Sequence, residues 1–320
     1  SGTRIPPLIM MTQMYGGIDS FALLALPMFV LTGELLNRLN LTERLIEVAR
    51  LLVGWIKGGL AHVNVVTSMF FAGISGSVLA DAASIGPILI PAMIRERYPP
   101  AFSAALTGAS AVIGAIIPPS IPLIIVGGSM QISISGLFAA GIVPGILIGL
   151  FLMITSFLFA IFRNYGDIHR FEGVIPVAKG TFRALPVLVI PFVILYGILG
   201  GVMTPTEAGA IAALYAIVLG TIYGVFQGNF SLQKFIDAMV GTARVTGSSL
   251  IIVGAAIVFG QILIFHQFPQ DLLEVVLSFT DNRVLLFLMI VLFFLFVGTF
   301  MDAVANMIIL GPLLMPIAID

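Results

Sequence analysis

Long apolar runs separated by short polar stretches dominate the chain, and their lengths predict membrane-embedded helices. The runs lie at about 20–36, 59–74, 84–94, 101–128, 136–162, 184–203, 208–226, 236–266, 284–300 and 303–319. A transmembrane helix needs about 20 apolar residues, so several of these runs are too short to cross a bilayer alone. Pairs of short runs predict re-entrant helical hairpins at about 59–94 and 284–319. Non-helical backbone at membrane depth is tolerated where it is buried in protein or lines a polar cavity.

The amino-acid composition indicates a chain that lies mostly within a membrane. Of its 320 residues 59% are hydrophobic and 9% are charged, and its mean hydropathy is +1.17, whereas soluble domains carry about 25% charged residues. The absence of cysteine excludes disulfides and cysteine-ligated metal centres. The absence of a Walker A motif argues against an ATP-driven pump. We therefore predict an all-α polytopic membrane protein, with no cofactor and no nucleic-acid partner.

Two blocks of sequence recur in the same order in the two halves of the chain. The stretch "GELLNRLNLTERLIEVARLL" (33–52) aligns with "GQILIFHQFPQDLLEVVLSF" (260–279), and "GPILIP" (86–91) aligns with "GPLLMP" (311–316). Chance matching within apolar sequence of low complexity is the alternative. The shared order and the nearly equal spacing of the blocks favour an internal repeat.

The charges of the matching arms indicate that the two repeats have opposite orientations. The arm at 38–57 carries four Lys or Arg residues, whereas the arm at 265–283 has only Arg283 and is otherwise acidic. An inverted repeat predicts this difference, because only one of the arms then lies on the cytoplasmic side. Both arms contain amphipathic runs, so we expect them to lie along the membrane interface.

We therefore predict two inverted repeats, each with a re-entrant hairpin and a broken helix. The first repeat, 1–162, would contain a scaffold helix, the interfacial arm, the hairpin at about 59–94 and a broken helix at about 101–128. The basic, polar segment 163–183 would be a cytoplasmic linker by the positive-inside rule. The second repeat, 184–320, would contain the second hairpin and be truncated at the C-terminus, without its own broken helix.

The first broken helix is predicted from its prolines. The stretch "GASAVIGAIIPPSIPLIIVGG" (108–128) has three prolines inside a long apolar run. Each proline removes a backbone donor and leaves a carbonyl without its helical partner. Together with Gly114 and Ser120, this pattern predicts an unwound span that faces the tip of the first hairpin. Interrupted segments of this kind are the best sequence indication of a transporter binding site.

The polar residues of both hairpin tips suit a hard cation such as Na⁺, which takes oxygen ligands from hydroxyls and carbonyls. The first tip is "GISGSVLADAAS" (73–84) and the second is "GTFMDAVAN" (298–306). Their candidate ligands include Ser75, Ser77, Thr299, Asp302 and Asn306. Each tip also begins a second half-helix, whose N-terminus favours an anionic substrate.

Carboxylates within the apolar sequence are candidate functional groups. Asp81 and Asp302 lie beside the two tips, and a carboxylate at membrane depth indicates an ion or substrate site by default. Helix capping or a salt bridge is the alternative for these carboxylates. For the serines and glycines around them, the alternative is close helix packing.

Several other polar residues favour structural roles. Glu34 could make a conformational or subunit contact. The stretch that contains Thr204 and Glu207 is typical of a capping box at a helix N-terminus. For His62 and Asn64, hydrogen bonds within the helix bundle are favoured over a gating role.

Five stretches of the chain resemble one family of transport proteins. They are "AGISGSVLADAASIGPILIPAMIRERYPPAFSAALTGASAVIGAIIPPSIPLI", "DSFALLALPMFVLTGELLNR", "GGLAHVNVVTSMFFAGISG", "GIVPGILIG" and "GGVMTPTEAGAIAALYA". Together they are similar to the large membrane subunit of tripartite ATP-independent periplasmic (TRAP) transporters, within the ion-transporter superfamily. The resemblance implies an elevator-type protein with a scaffold and a transport domain, in the bacterial inner membrane.

The resemblance also implies Na⁺-coupled symport of an organic acid such as sialic acid or a C4-dicarboxylate. Its partners would be a small four-helix membrane subunit and a periplasmic substrate-binding protein. The implied sodium ligands are Ser75, Gly76, Ser77, Gly114, Ile117 and Ser120 for one site, and Gly298, Thr299 and Met301 for the other. The implied substrate residues are Ser77, Asp81, Pro119, Asp302 and Asn306. A broken helix that would complete the second site has no counterpart after residue 298, so we expect that site to be incomplete.

Two other functions remain open at this point. One is a symporter of the same fold that works without a binding protein. The other is an intramembrane hydrolase that uses Asp81 and Asp302 as paired carboxylates, although no protease motif surrounds them. No residue in the sequence decides which organic acid would be transported.

Overall fold

The structure is a computed structural model that describes residues 7–39, 41–167, 170, 173–226, 230–267, 282–301 and 303–319. Within these residues the regular structure is helical. The α-helices, numbered in chain order, are α1 Pro7–Ile18, α2 Ala25–Arg38, α3 Thr42–Val53, α4 Gly59–Ser75, α5 Val78–Arg95, α6 Pro100–Ala111, α7 Ile121–Met130, α8 Ile134–Phe162, α9 Val174–Leu199, α10 Pro205–Phe226, α11 Leu232–Phe265, α12 Arg283–Val297 and α13 Ala303–Ile319. Two 3₁₀ segments lie at Phe21–Leu24 and Val112–Ala115.

Six helical segments in the described part of the chain are long and apolar enough to cross a membrane. They are Phe21–Arg38, Val78–Arg95, Ile134–Phe162, Val174–Leu199, Pro205–Phe226 and Leu232–Leu263. Many large apolar side chains on these helices are exposed, for example Phe151 and Phe192. Such a surface is compatible with lipid and incompatible with water. The prediction of an all-α polytopic membrane protein is therefore confirmed.

The chain divides into two compact units. The larger unit consists of Leu24–Ile124 and Ser133–Val245, and the smaller unit of Ser1–Leu23, Ile125–Ile132 and Thr246–Asp320. The larger unit contains the first predicted hairpin and most of the first broken helix. The second predicted hairpin lies in the smaller unit, where α12 and α13 contact each other. The inverted symmetry of the two repeats stays a prediction.

Helices α4 and α5 form an antiparallel hairpin at the centre of the larger unit. Ser75 bonds Asp81 close to the turn, and the Asn64 amide lies 3.7 Å from the Met93 sulfur far from it, so the two helices run in opposite directions. Helix α4 also contacts α3, α6 and α8, and α5 contacts α6. Nearly all of α4 is buried as a result.

The amphipathic arm and the polar linker are both partly helical. In α3, Leu45 and Val48 are buried while Glu47 and Arg50 are exposed, which gives the two faces that the sequence predicts. Helix α9 begins at Val174, ten residues before the apolar run that predicted it. Its first turns expose their charged side chains and bury a glycine. Hydropathy alone therefore does not detect these turns as part of the helix. Most of the second arm lies outside the described residues.

The capping box at the start of α10 is present. The Thr204 backbone N–H donates to Glu207 Oε2 at 2.8 Å, and the Glu207 N–H donates to Thr204 Oγ1 at 3.3 Å. These reciprocal bonds satisfy two donors that the helix itself leaves free. The structural role predicted for Glu207 is confirmed.

A buried polar network joins α4 to α6. Asn64 Nδ2 donates to Thr107 Oγ1 at 2.7 Å, and Ser110 Oγ donates to Asn64 Oδ1 at 3.0 Å. Ser68 Oγ in turn donates to Ser110 Oγ at 2.9 Å. The hydrogen bonds within the bundle that were predicted for Asn64 are confirmed. The side chain of His62 is buried, and its ring centroid lies 6.3 Å from that of Phe157.

We expect Asn64→Ala to destabilise the larger unit by about 1–2 kcal/mol, because Thr107 and Ser110 each lose a buried partner. The measurement is thermal or denaturant unfolding of the purified protein in detergent. Thr221→Ala is the matched control, since its hydroxyl bonds only the Ile217 carbonyl of its own helix. Equal stability of the two variants would mean that the network adds nothing to the fold.

Candidate cation site at the tip of the first hairpin

The tip of the first hairpin is a two-residue break between α4 and α5. Gly76 ends α4 in the left-handed region at φ 62°, which glycine adopts without steric strain. Ser77 follows in an extended conformation, and its hydroxyl caps α5 by accepting from the Ala80 N–H at 3.3 Å. The sequence Gly-Ser therefore ends one helix and begins the next within two residues.

Asp81 lies in the first turn of α5 and is fully buried. Its Oδ1 accepts a hydrogen bond from the hydroxyl of Ser75, which is also buried. Its Oδ2 is buried and has no hydrogen-bond partner among the described residues. That oxygen faces Gly114, where an added Cβ would collide with it. A buried carboxylate oxygen without a partner is costly, so its position indicates a site for a cation or a proton.

The broken helix passes directly beside this tip. Helix α6 ends at Ala111, a 3₁₀ segment continues to Ala115, and α7 starts only at Ile121. The Ile121 N–H donates to the Gly76 carbonyl at 3.0 Å, which joins the break to the tip. An added Cβ on Gly76 would collide with the Pro119 carbonyl oxygen, so the two backbones lie in close contact.

A proline explains why the helix breaks here and why a serine hydroxyl bonds a backbone carbonyl within the break. Pro119 has no N–H to donate to the Ala115 carbonyl four residues earlier. The Ser120 hydroxyl donates to that carbonyl instead, and it also accepts from the Leu123 N–H at 3.3 Å as the cap of α7. Ser120 is fully buried and thus holds the two ends of the break together.

The structure brings most residues predicted for the first site into one place. The tip and the break that contact each other contain Ser75, Gly76, Ser77, Asp81, Gly114, Pro119 and Ser120. Ile117 lies in the same break, but its side chain points towards Gly145 of α8. Only its backbone could therefore face the tip. Hydroxyl, carbonyl and carboxylate oxygens are the donors that a hard cation prefers.

The second predicted tip lies in the smaller unit, between α12 and α13. The Thr299 hydroxyl donates to the Phe296 carbonyl at 2.8 Å, and the Met301 N–H donates to the Val297 carbonyl at 3.0 Å. Asn306 is buried near Gly298, and its Oδ1 has no hydrogen-bond partner among the described residues. Asp302 lies outside the described residues.

A cavity of about 240 Å³ opens beside the first tip within the larger unit. Its lining residues are Val30, Gly33, Glu34, Ser75, Ser77, Leu79, Ala80, Ala83, Ile121 and Val245. Glu34 is its one charged lining residue, and Arg38 Nε donates to Glu34 Oε2 at 2.8 Å. Glu34 also lies close to Gly241 of α11, where an added Cβ would be 2.8 Å from Glu34 Oε2, and its role as a conformational or subunit contact stays a prediction. Gly33 was not among the predicted site residues, yet a Cβ there would lie 3.1 Å from the Ser75 Cα.

Known proteins match nearly all of this chain. Residues 2–320 match the family model described as "Tripartite ATP-independent periplasmic transporter, DctM component". The sialic acid TRAP transporter large permease protein SiaM of Vibrio cholerae is 42% identical over 306 residues, which are 96% of this chain and 71% of that protein. The isethionate TRAP transporter permease protein DctMQ of Oleidesulfovibrio alaskensis is 37% identical over 305 residues, 95% of this chain and 48% of that protein.

A third relative is the 2,3-diketo-L-gulonate TRAP transporter large permease protein YiaN of Escherichia coli. It is 36% identical over 309 residues, 97% of this chain and 72% of that protein. The chain therefore spans about half of the length of DctMQ and about 70% of the length of SiaM and YiaN. These relatives are transporter permeases, so the chain is a transporter and not an enzyme, and the hydrolase hypothesis is wrong. With six apolar helices among its described residues it is a multi-pass protein of the bacterial inner membrane, and it belongs to the DctM component family of tripartite ATP-independent periplasmic transporters.

Proposed function

We propose that this chain is the permease of a secondary transporter that couples Na⁺ entry to uptake of an organic acid. The observation that carries the proposal is the buried carboxylate of Asp81, which is bonded to Ser75 and has one oxygen without a partner among the described residues. A cation bound there would neutralise the carboxylate and use the nearby hydroxyl and carbonyl oxygens as ligands. The driving force would be the Na⁺ gradient and the membrane potential, about 2.3 kcal/mol per charge per 100 mV.

The second tip would provide a further Na⁺ site. The family suggests backbone and side-chain oxygens at Gly298, Thr299 and Met301 as its ligands. The unpartnered Oδ1 of Asn306 close by is consistent with a polar ligand at this tip. Asp302, which lies outside the described residues, is proposed as a substrate or ion contact.

The substrate would be an anionic organic acid. The names of the relatives specify sialic acid, isethionate and 2,3-diketo-L-gulonate, all of which carry a negative charge at neutral pH. The cavity beside the first tip contains Ser77 and the start of α5, and the N–H groups of a helix N-terminus favour an anion. Ser77 and Pro119 would therefore contact the substrate, and Na⁺ would order the tip that presents Ser77 to it.

The chain would work with two partner proteins in the lipid bilayer. By membership of a tripartite family, we infer a periplasmic substrate-binding protein and a small four-helix membrane subunit. The small subunit would brace a scaffold while a transport domain, which includes the first hairpin, moves as an elevator. A symporter that needs no binding protein is the competing hypothesis.

We expect uptake of radiolabelled organic acid into proteoliposomes to require an inward Na⁺ gradient. The complete transporter should be reconstituted with its binding protein, and candidate acids should be the three anions above and a C4-dicarboxylate. Replacing Na⁺ by K⁺ or choline should abolish uptake. A proton gradient in the absence of Na⁺ should not restore it. Uptake that follows the proton gradient alone would contradict Na⁺ coupling, and uptake without the binding protein would favour the competing symporter.

A further inference from the structure

Helix α8 lies against the broken helix at two glycines. Gly141 and Gly145 are one turn apart on the buried face of α8. An added Cβ on Gly141 would collide with the carbonyl oxygen of Ile116, and one on Gly145 would collide with the side chain of Ile117. Both contacts fall within the unwound stretch between the 3₁₀ segment and α7. Only glycine therefore lets α8 approach the break this closely.

The 3₁₀ segment just before this unwound stretch contacts the tip. Gly114 lies against Asp81 Oδ2, which is fully buried and has no hydrogen-bond partner among the described residues. The broken helix thus contacts two neighbours within four residues: the tip carboxylate at Gly114, and α8 at Ile116 and Ile117. Atoms in such packed interiors shift together when one neighbour grows by a methyl group. A Cβ on α8 must therefore push the backbone of the break or move α8 away from it.

Cation binding is sensitive to shifts of this size. Hard cations hold their oxygen ligands within a range of a few tenths of an ångström. The conflict at Gly141 is with a backbone carbonyl, so it cannot be relieved by a rotamer change. The conflict at Gly145 is with Cγ1 and Cδ1 of a side chain, which are less rigid.

We propose that Gly141 and Gly145 are positioning residues that set the distance between the break and the tip and thereby the cation affinity of the first site. The proposal rests on the proposed function, because it assumes that a cation binds between Asp81 and the break. Neither glycine touches the cation. The motif "GIVPGILIG" thus acts on the site through the backbone carbonyl of Ile116 and the side chain of Ile117.

The test compares alanine substitutions at three glycines of α8 in the complete transporter. Gly141→Ala and Gly145→Ala should each raise the half-saturating Na⁺ concentration for uptake, with Gly141→Ala raising it by about tenfold. Gly136→Ala is the matched control, since its Cβ would meet only Ser133 atoms at 3.5 Å, an ordinary contact. The same shift should appear in the Na⁺ concentration that stabilises the purified protein against heat.

A rescue experiment separates positioning from general damage. Ile117→Ala removes Cγ1 and Cδ1, the two closest atoms to a Cβ at Gly145, and leaves only the backbone N at 3.5 Å, an ordinary contact. The double variant Gly145→Ala/Ile117→Ala should therefore recover most of the Na⁺ affinity that Gly145→Ala loses. No side-chain substitution should rescue Gly141→Ala, because its conflict is with a carbonyl.

Three results would overturn the inference. They are a half-saturating Na⁺ concentration in Gly141→Ala equal to that of Gly136→Ala, a loss of heat stability without any change in Na⁺ dependence, and no rescue of Gly145→Ala by the second substitution. If Gly141→Ala does not fold, the Gly145→Ala pair decides alone. A wild-type protein whose uptake and heat stability do not respond to Na⁺ would instead contradict the proposed function.

Discussion

Asp81→Asn is expected to abolish Na⁺-dependent uptake, with a loss of at least about a hundredfold. The substitution keeps the size of the side chain and an oxygen that can accept from Ser75, but it removes the negative charge. Two unit charges about 4 Å apart attract each other by about 4 kcal/mol at an effective dielectric constant of 20, which corresponds to roughly a thousandfold in affinity. The measurement is initial uptake in proteoliposomes across a range of Na⁺ concentrations, beside Na⁺-dependent heat stability.

Asp237→Asn is the control for this substitution. Asp237 is half-buried in the second turn of α11, where its Oδ1 accepts from Gln233 Nε2 at 2.8 Å. The same chemical change there should leave uptake unchanged. If Asp81→Asn transports with unaltered Na⁺ dependence, the carboxylate has only a structural role through its bond from Ser75 and the site assignment is wrong. Heat stability that rises without Na⁺ is consistent with the assignment, because the buried charge is gone.

Local chemistry made the positions of the first tip and of the break predictable from the sequence. Gly76 and Ser77 interrupt a run of helix-forming apolar residues, and the prolines after Ile117 remove the donors that a continuous helix needs. The structure has its two breaks in these places. The sequence also predicted that tip and break would face each other, which the bond from Ile121 to Gly76 confirms.

Contacts between distant segments were not predictable in the same way. Gly141 and Gly145 look like ordinary packing glycines in a helix, because nothing in their own sequence identifies the carbonyl and side chain that they meet. Gly33 and Val245 likewise reach the cavity only through the packing of the helices that carry them. Such contacts depend on the tertiary arrangement, which periodicity and composition do not encode residue by residue.

The start of α9 differed from the prediction for an energetic reason. Hydropathy detects the part of a helix that is compatible with lipid, whereas a helix continues beyond it as long as its backbone bonds are made. Val174 begins the helix within a stretch that contains Lys179 and Arg183, both exposed. Charged side chains of this kind near a helix end are compatible with the membrane interface.

Gly76→Ala is expected to abolish uptake as well, for a reason that is geometric and not electrostatic. Alanine at φ 62° costs about 1–2 kcal/mol, and its Cβ would meet the carbonyl oxygen of Pro119. Relief of that collision requires the tip and the break to separate, which breaks the bond from the Ile121 N–H to the Gly76 carbonyl, worth about 1 kcal/mol. Ligands from the two segments would then no longer converge on one cation. Uptake and Na⁺-dependent heat stabilisation should both disappear.

Gly201→Ala distinguishes the collision from the backbone strain. Gly201 also has a left-handed backbone, at φ 69°, but no atom lies within 4 Å of its added Cβ. The Gly201→Ala variant should therefore lose about 1 kcal/mol of stability and transport normally. Gly76→Asn is a second variant, because asparagine tolerates the left-handed region but keeps the Cβ, and it should be as inactive as Gly76→Ala. Normal transport by Gly76→Asn would show that the close contact between tip and break is not required, and that strain alone explains the loss in Gly76→Ala.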